Sequence, residues 1–324
     1  MKTKKILTGF ALIAACVVFL KCNEYLPKPE YEKELLPISF TVDFAKEVTG
    51  FRSSETINFH NFFYYVYKTE TGDLYKRLSF VNFDGTLNDS LPEGNYTFVF
   101  MGTNTTASFI ADGGGPFSKY NIKTSTGFDC PHFTFKSDFN ANNDAFYNKM
   151  NFSVEKGKSN NSSIALDRIV GKVEVVFQDI IPSEVKTLFV NVKNCPGQYF
   201  YSLNGDFTER VVGVYNGFSI SESDRAASGY TFYFVVFENI NQDTSRYPVS
   251  IEIKAYKNIP DGIVDKEPFL IFSKVINNVD ILKNKTVRYS GNMFDSGASQ
   301  SENLQSSFDV EIEDVWGETI DIPF

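Results

Sequence analysis

Two histidines, four cysteines and a few closely spaced acids are the residues of this chain with catalytic or ligating potential. His60 sits in NFHNFFYYVY, where a strand pattern makes an ordinary structural histidine the expected reading, and His132 sits in CPHF. Ser-His-Asp chemistry would need one of these imidazoles, and no G-x-S-x-G turn presents a serine to either. Neither histidine has a second His or a Cys pair at ligand spacing. Cys130 and His132 together supply fewer donors than a zinc site needs. The acidic groups Asp206/Glu209, Glu222/Asp224 and Glu311/Glu313/Asp314 would suit glycosidase carboxylates only if the fold brought a pair together. DVEIED alternates along a strand and supplies a solvated face. The Asn/Asp-rich stretch 137–158 lacks the D-x-[DN]-x-[DN]-G calcium loop and is expected to be a loop or short helix. ADGGGPFSKYN has glycines but no phosphate-cradling spacing. The chain reads as a non-enzyme, with no metal and no cofactor.

Chemistry of another kind is written at the start, MKTKKILTGFALIAACVVFLKC. Lys2, Lys4 and Lys5 precede an apolar stretch from Ile6 to Leu20, shorter than the roughly 20 residues a spanning helix needs but adequate for a signal peptide. Small residues lead to a thiol in Leu12-Ile13-Ala14-Ala15-Cys16, a bacterial lipobox pattern in which Cys16 becomes thioether-linked to diacylglycerol. Cys22 is the alternative, although Lys21 occupies the place that favours Gly, Ala or Ser. Each buried methylene of such an anchor contributes about 0.8 kcal/mol. Residues 1–22 are therefore expected to be signal and lipidation region, and the remainder exported and membrane-tethered, a surface or periplasmic protein. The other two thiols, Cys130 and Cys195, either pair as a disulfide or stay as buried free thiols. A net charge of -9 and a pI near 4.9 argue against a nucleic-acid partner.

The elements that must carry any site are strands. Phe and Tyr number 33 and 17, and helical periodicity is scarce. After a Pro/Glu-rich tether (23–36), ISFTVDFA places Ile38, Phe40, Val42 and Phe44 on one side of a strand. Gly72 marks a hairpin turn, and PEGN at 92–95 marks another before Tyr96, Phe98 and Phe100. EKGKSNNSS closes a first domain (37–163). A second (164–324) strings together VGKVEVVF, LFVNV, YTFYFVVF, VSIEIKAY and TVRYSG, with a linker-like SGASQSENLQSS before a terminal strand segment. Regular strands without βα alternation predict two antiparallel sandwiches.

At ALDRIVGKVEVVF the sequence resembles the strand that opens the C-terminal domain of fimbrillins, the pilin superfamily of Bacteroidales. The matching positions are Leu166, Arg168, Gly171 (often Ala in the family), Lys172 and Val173. VINNVDILKNKTVRYSGNMF is similar to a late strand pair of that family, with Asn284 in a turn and Gly291 after the strand. The resemblance implies two transthyretin-like β-sandwiches, export as an outer-membrane lipoprotein (palmitate-bearing), and assembly with other fimbrial subunits by strand exchange, with adhesion to a host or bacterial surface receptor. It also implies an Arg-specific cut after the first strand, for which Arg52 is the candidate, although a plain loop arginine is the ordinary reading. Val310, Ile312, Ile320, Ile322 and Phe324 would be the plugs of a C-terminal donor strand. Anchor subunits commonly carry a cysteine segment soon after the lipobox. It is absent here, which favours a polymerising or accessory subunit while stalk, tip and anchor stay open. Asp89-Ser90-Leu91 is similar to the O-glycosylation tripeptide of exported proteins in that bacterial group. The alternative function is a surface glycan-binding lipoprotein of a polysaccharide-uptake system, marked by aromatics clustered on an exposed platform.

Overall fold

The computed structural model describes residues 33–45, 59–103, 109–111, 121–124, 132–135, 144–211, 214–226, 229–241, 243–259, 266, 269–294 and 308–313. The first half contributes β1 (Leu35–Phe44), β2 (Phe59–Lys68), β3 (Leu74–Phe83), β4 (Thr86–Pro92), β5 (Gly94–Thr103), β6 (Phe109–Ala111), β7 (His132–Phe135), β8 (Ala145–Val154) and β9 (Asn161–Arg168). The second contributes β10 (Val170–Phe177), β11 (Thr187–Lys193), β12 (Cys195–Phe200), β13 (Phe207–Val211), β14 (Val214–Ser219), a one-turn helix α1 (Glu222–Ala226), β15 (Tyr230–Phe237), β16 (Val249–Tyr256), β17 (Leu270–Val279), β18 (Thr286–Gly291) and β19 (Phe308–Glu313).

The first sandwich is one seven-stranded sheet, β3-β2-β5-β8-β9-β1-β4, folded over itself. The fold line lies between β8 and β9, which pair only at Phe146↔Arg168 and Tyr147↔Asp167. β1 supplies Leu36, Ile38, Phe40 and Val42 to the core, as its alternation predicts. They meet Phe62, Tyr64 and Val66 of β2 and Phe98 and Phe100 of β5. Gly72 turns the β2–β3 hairpin at φ +78, and a Cβ there would lie 2.5 Å from that of Lys123.

The second sandwich packs β15-β10-β18-β19 against β14-β11-β16-β17. Val173, Val175 and Phe177 of β10 alternate into its core opposite Val190 of β11 and Ile251 and Ile253 of β16. The two halves repeat one arrangement. β1 is antiparallel to β4 and parallel to β9, and β10 is antiparallel to β15 and parallel to β18. One parallel pair thus sits in each otherwise antiparallel sandwich.

The halves are fused. A further sheet, β13-β12-β7-β6, takes two strands from each. Beneath it lies a shared core in which Tyr65, Tyr67, Val99, Met101 and Tyr147 pack with Val170, Tyr199, Tyr201, Val235 and Phe237. β5 therefore has apolar cores on both faces, Phe98 and Phe100 on one and Val99 and Met101 on the other. The stretch 137–158 contains the strand β8 rather than a loop or helix. Ala145 and Tyr147 join the shared core and Phe146 joins the first core, so burial on both faces erases the period-2 signal. The expected break between 163 and 164 falls inside β9, and the chain changes sheets between Arg168 and Val170.

Candidate functional site

Leu166, Arg168 and Gly171 meet at the sheet change. Leu166 is buried in the first core. Arg168 is 2% exposed and holds three elements together. Its Nε and Nη2 donate to Oδ1 and Oδ2 of Asp144 at 2.8 and 2.9 Å, and its Nη1 donates to Oδ1 of Asn284 at 3.0 Å. The guanidinium also lies 5.1 Å from the centre of the Phe146 ring. Burial raises the Asp144 carboxyl above its ordinary value, against the opposing pull of Arg168. Asn284 adopts the left-handed conformation (φ +57) that a turn before β18 requires, and its N–H donates to the Val170 carbonyl at 2.8 Å. One arginine thereby links the start of β8, the end of β9 and the turn before β18.

Gly171 is required by a close approach. A Cβ there would stand 2.5 Å from the Leu282 carbonyl oxygen and 2.9 Å from Ile281 Cγ2. Gly171→Ala is expected to destabilise the chain by about 1–3 kcal/mol through overpacking, read by chemical denaturation at unchanged slope. Lys172 points away from this junction. Its ammonium pairs with Glu174 and lies 4.6 Å from the Tyr233 ring centre. Burial would raise the Glu174 carboxyl, but Lys172 and Arg288 outweigh it and hold the group below its ordinary range.

The shared core adds polar ties. Tyr67 and Tyr201 hydroxyls lie 3.1 Å apart, and Lys149 Nζ donates to Asp206 Oδ1 at 3.0 Å. Tyr199 donates to Asp206 Oδ2 at 3.3 Å, and burial first, then the Asp206 charge, pushes its hydroxyl well up. Asp206 is thus a structural partner here. Asp224 accepts from the Ser221 N–H at 2.7 Å, at the start of α1. His132 lies in β7 with its ring 4.7 Å from that of Phe200, and His60 lies in β2. Cys195 is a buried free thiol, pushed up by burial, while Cys130 lies outside the described residues. Among the described residues no group of three metal-ligating side chains occurs, and no helix is long and apolar enough to cross a membrane.

The terminal strands are the other half of the site. β1 is paired on both sides, from Leu35↔Pro92 to Thr41↔Thr86 along β4 and from Ser39↔Asn161 to Phe44↔Leu166 along β9. Among the described strands β19 pairs only with β18, from Thr286↔Glu313 to Gly291↔Phe308, so that Val310 stands opposite Tyr289 and Ile312 opposite Val287. Cys16, Cys22, Arg52, Ile320, Ile322 and Phe324 lie outside the described residues. Among the described residues the aromatics do not form an exposed platform. Among the described large hydrophobics only Leu35, Tyr75, Val81 and Ile180 are exposed.

Two β-sandwiches fused through a shared core and a shared sheet define an all-β, double-sandwich protein. The chain belongs to the family of fimbrillin-A associated anchor proteins Mfa1 and Mfa2, whose model matches residues 36–253. The fold is similar to that of the fimbrial anchor protein Mfa2 from Porphyromonas gingivalis, at 9% identity and a TM-score of 0.53, covering 86% of this chain and 97% of that one. A protein described as an adhesin from Bacteroides ovatus aligns at 10% identity and a TM-score of 0.48, covering 75% of this chain and 83% of that one. A cell adhesion protein from Bacteroides eggerthii aligns at 12% identity and 0.46, covering 87% and 95%. No curated protein matches the sequence. The missing cysteine segment points away from anchors, yet the matching model is the one named for them.

Proposed function

We propose that the chain is a fimbrial subunit with a structural and adhesive role, exported as a lipoprotein on Cys16 or Cys22 and joined to its neighbours at the outer membrane by β-strand addition. The supporting observation is the unequal hold on the two terminal strands. β1 is clasped between β4 and β9 and carries Phe40 into the core, whereas β19 is held along one edge of β18. Of the two, β19 is the strand with a single described neighbour, and so the one to exchange. Its main-chain groups supply affinity for a neighbour, and alternate residues, Val310 and Ile312 with Ile320, Ile322 and Phe324 beyond them, supply register. β1 stays in place, as suits a subunit at the base of a fibre, even if Arg52 is cut.

Arg288 and Glu311 are register partners, so the double variant Arg288→Cys/Glu311→Cys can be locked by oxidation. In fimbriated cells the oxidised variant is expected to be lost from isolated fimbriae, and reductant is expected to restore it. Incorporation of the locked form at the level of the unmodified chain would overturn the reading.

A further inference from the structure

The outer face of the β15-β10-β18 layer carries Lys172 and Glu174 on β10 and Arg288 on β18, alternating with residues that enter the second core. Thr231 and Tyr233 of β15 complete the face without charge. Glu174 stands between the cations and pairs with both, Arg288 donating to it at 3.0 and 3.1 Å. Two positive charges thus meet one negative. β19 brings acids to the same face, since its register sets Asp309 opposite Ser290, Glu311 opposite Arg288 and Glu313 opposite Thr286. The intervening positions, Val310 and Ile312, stand opposite the buried Tyr289 and Val287. The strand therefore offers alternating aliphatic and acidic positions to an edge with an apolar rim and a cation.

The first sandwich repeats the three-strand arrangement, as β4-β1-β9, with the opposite charge. Asp43 of β1 and Asp167 of β9 are exposed on its outer face, and the other outward positions of these three strands hold no cation. Opposite charges facing each other across neighbouring strands stabilise a sheet, and like charges destabilise it. An acidic strand is thus attracted to β18 and repelled at the matching face of the first sandwich, and discrimination of this kind needs both the attractive and the repulsive element.

We propose that the β18 edge selects its strand by charge, with Arg288 as the specificity-determining residue, and that the segment it accepts from a neighbour alternates aliphatic and acidic residues as β19 does. The identity of that neighbour rests on the strand-addition reading, whereas charge selection is a property of the isolated chain. A basic strand of equal hydrophobicity would cover the rim but set a cation against Arg288.

The test uses the full chain carrying Val310→Asp/Ile312→Asp, which removes the aliphatic positions of its own β19, and two labelled peptides, SFDVEIED (residues 307–314) and SFKVKIKD. Fluorescence anisotropy is expected to show the acidic peptide bound about tenfold more tightly, and Arg288→Glu added to the same chain is expected to reverse the order. In the otherwise unaltered chain, amide hydrogen exchange of residues 308–313 should quicken about tenfold in Glu311→Lys and return towards the parent rate in Arg288→Glu/Glu311→Lys, a rescue that a merely structural Arg288 does not give. Equal affinity for the two peptides, binding of neither, or a preference that Arg288→Glu leaves unchanged would overturn the proposal. So would the absence of rescue. Incorporation of the oxidised Arg288→Cys/Glu311→Cys chain into fimbriae is a separate result, so strand exchange can stand where charge selection fails, and the reverse.

Discussion

Arg168→Ala is expected to lower the thermal midpoint by roughly 10 °C, the consequence of breaking a buried ion pair that typically costs about 3–5 kcal/mol. The substitution leaves Asp144 without both of its guanidinium donors and removes the donor to Asn284 Oδ1. The stranded carboxylate accounts for most of the loss. Arg168→Lys should recover little, because an ammonium cannot reproduce the fork to Asp144 while also reaching Asn284. The hydrogen bond from Arg168 to Asn284 joins the two halves, so scanning calorimetry should show the single transition of the parent broadening or splitting. A midpoint within about 2 °C of the parent would mean that the pair only offsets its own burial cost.

Phe40→Ala is expected to cost about 3–5 kcal/mol. Phe40 is fully buried, with ring centroids 4.9 Å from Phe98, 5.2 Å from Phe100 and 5.6 Å from Phe152. It is the central plug by which β1 fills the first core, so the effect goes beyond stability. After digestion with an Arg-specific protease, the parent should keep β1 through size-exclusion chromatography even if the chain is severed at Arg52. The same digestion of Phe40→Ala should release the β1 fragment. Spontaneous loss of β1 from the nicked parent would show that β1, rather than β19, is the exchangeable strand.

Much of the strand content was legible because one-sided burial writes a period of two. β1 is the clear case, with Ile38, Phe40 and Val42 inward and Ser39 and Thr41 outward. The hairpin at Gly72 was legible from its turn chemistry. β8 was not, since Ala145, Phe146 and Tyr147 all meet apolar neighbours. Nor was the sheet shared by the halves, because pairing between Phe133 and Tyr199 is a matter of three-dimensional register that neither segment encodes alone. The motif residues Arg168 and Gly171 were visible as a pattern, but their reasons were not. Asn284 and Leu282, which explain them, arrive more than a hundred residues later.

That β19 closes an edge of its own chain sets the terms on which copies can meet. Residues 295–307 separate it from the body, and a connection that short presents a tethered segment at an effective concentration on the order of millimolar. A free neighbour at micromolar levels loses that contest by roughly a thousandfold. Isolated molecules should thus remain solitary for long periods, and linking two of them calls for crowding at a surface or for a catalyst that pries the tail loose.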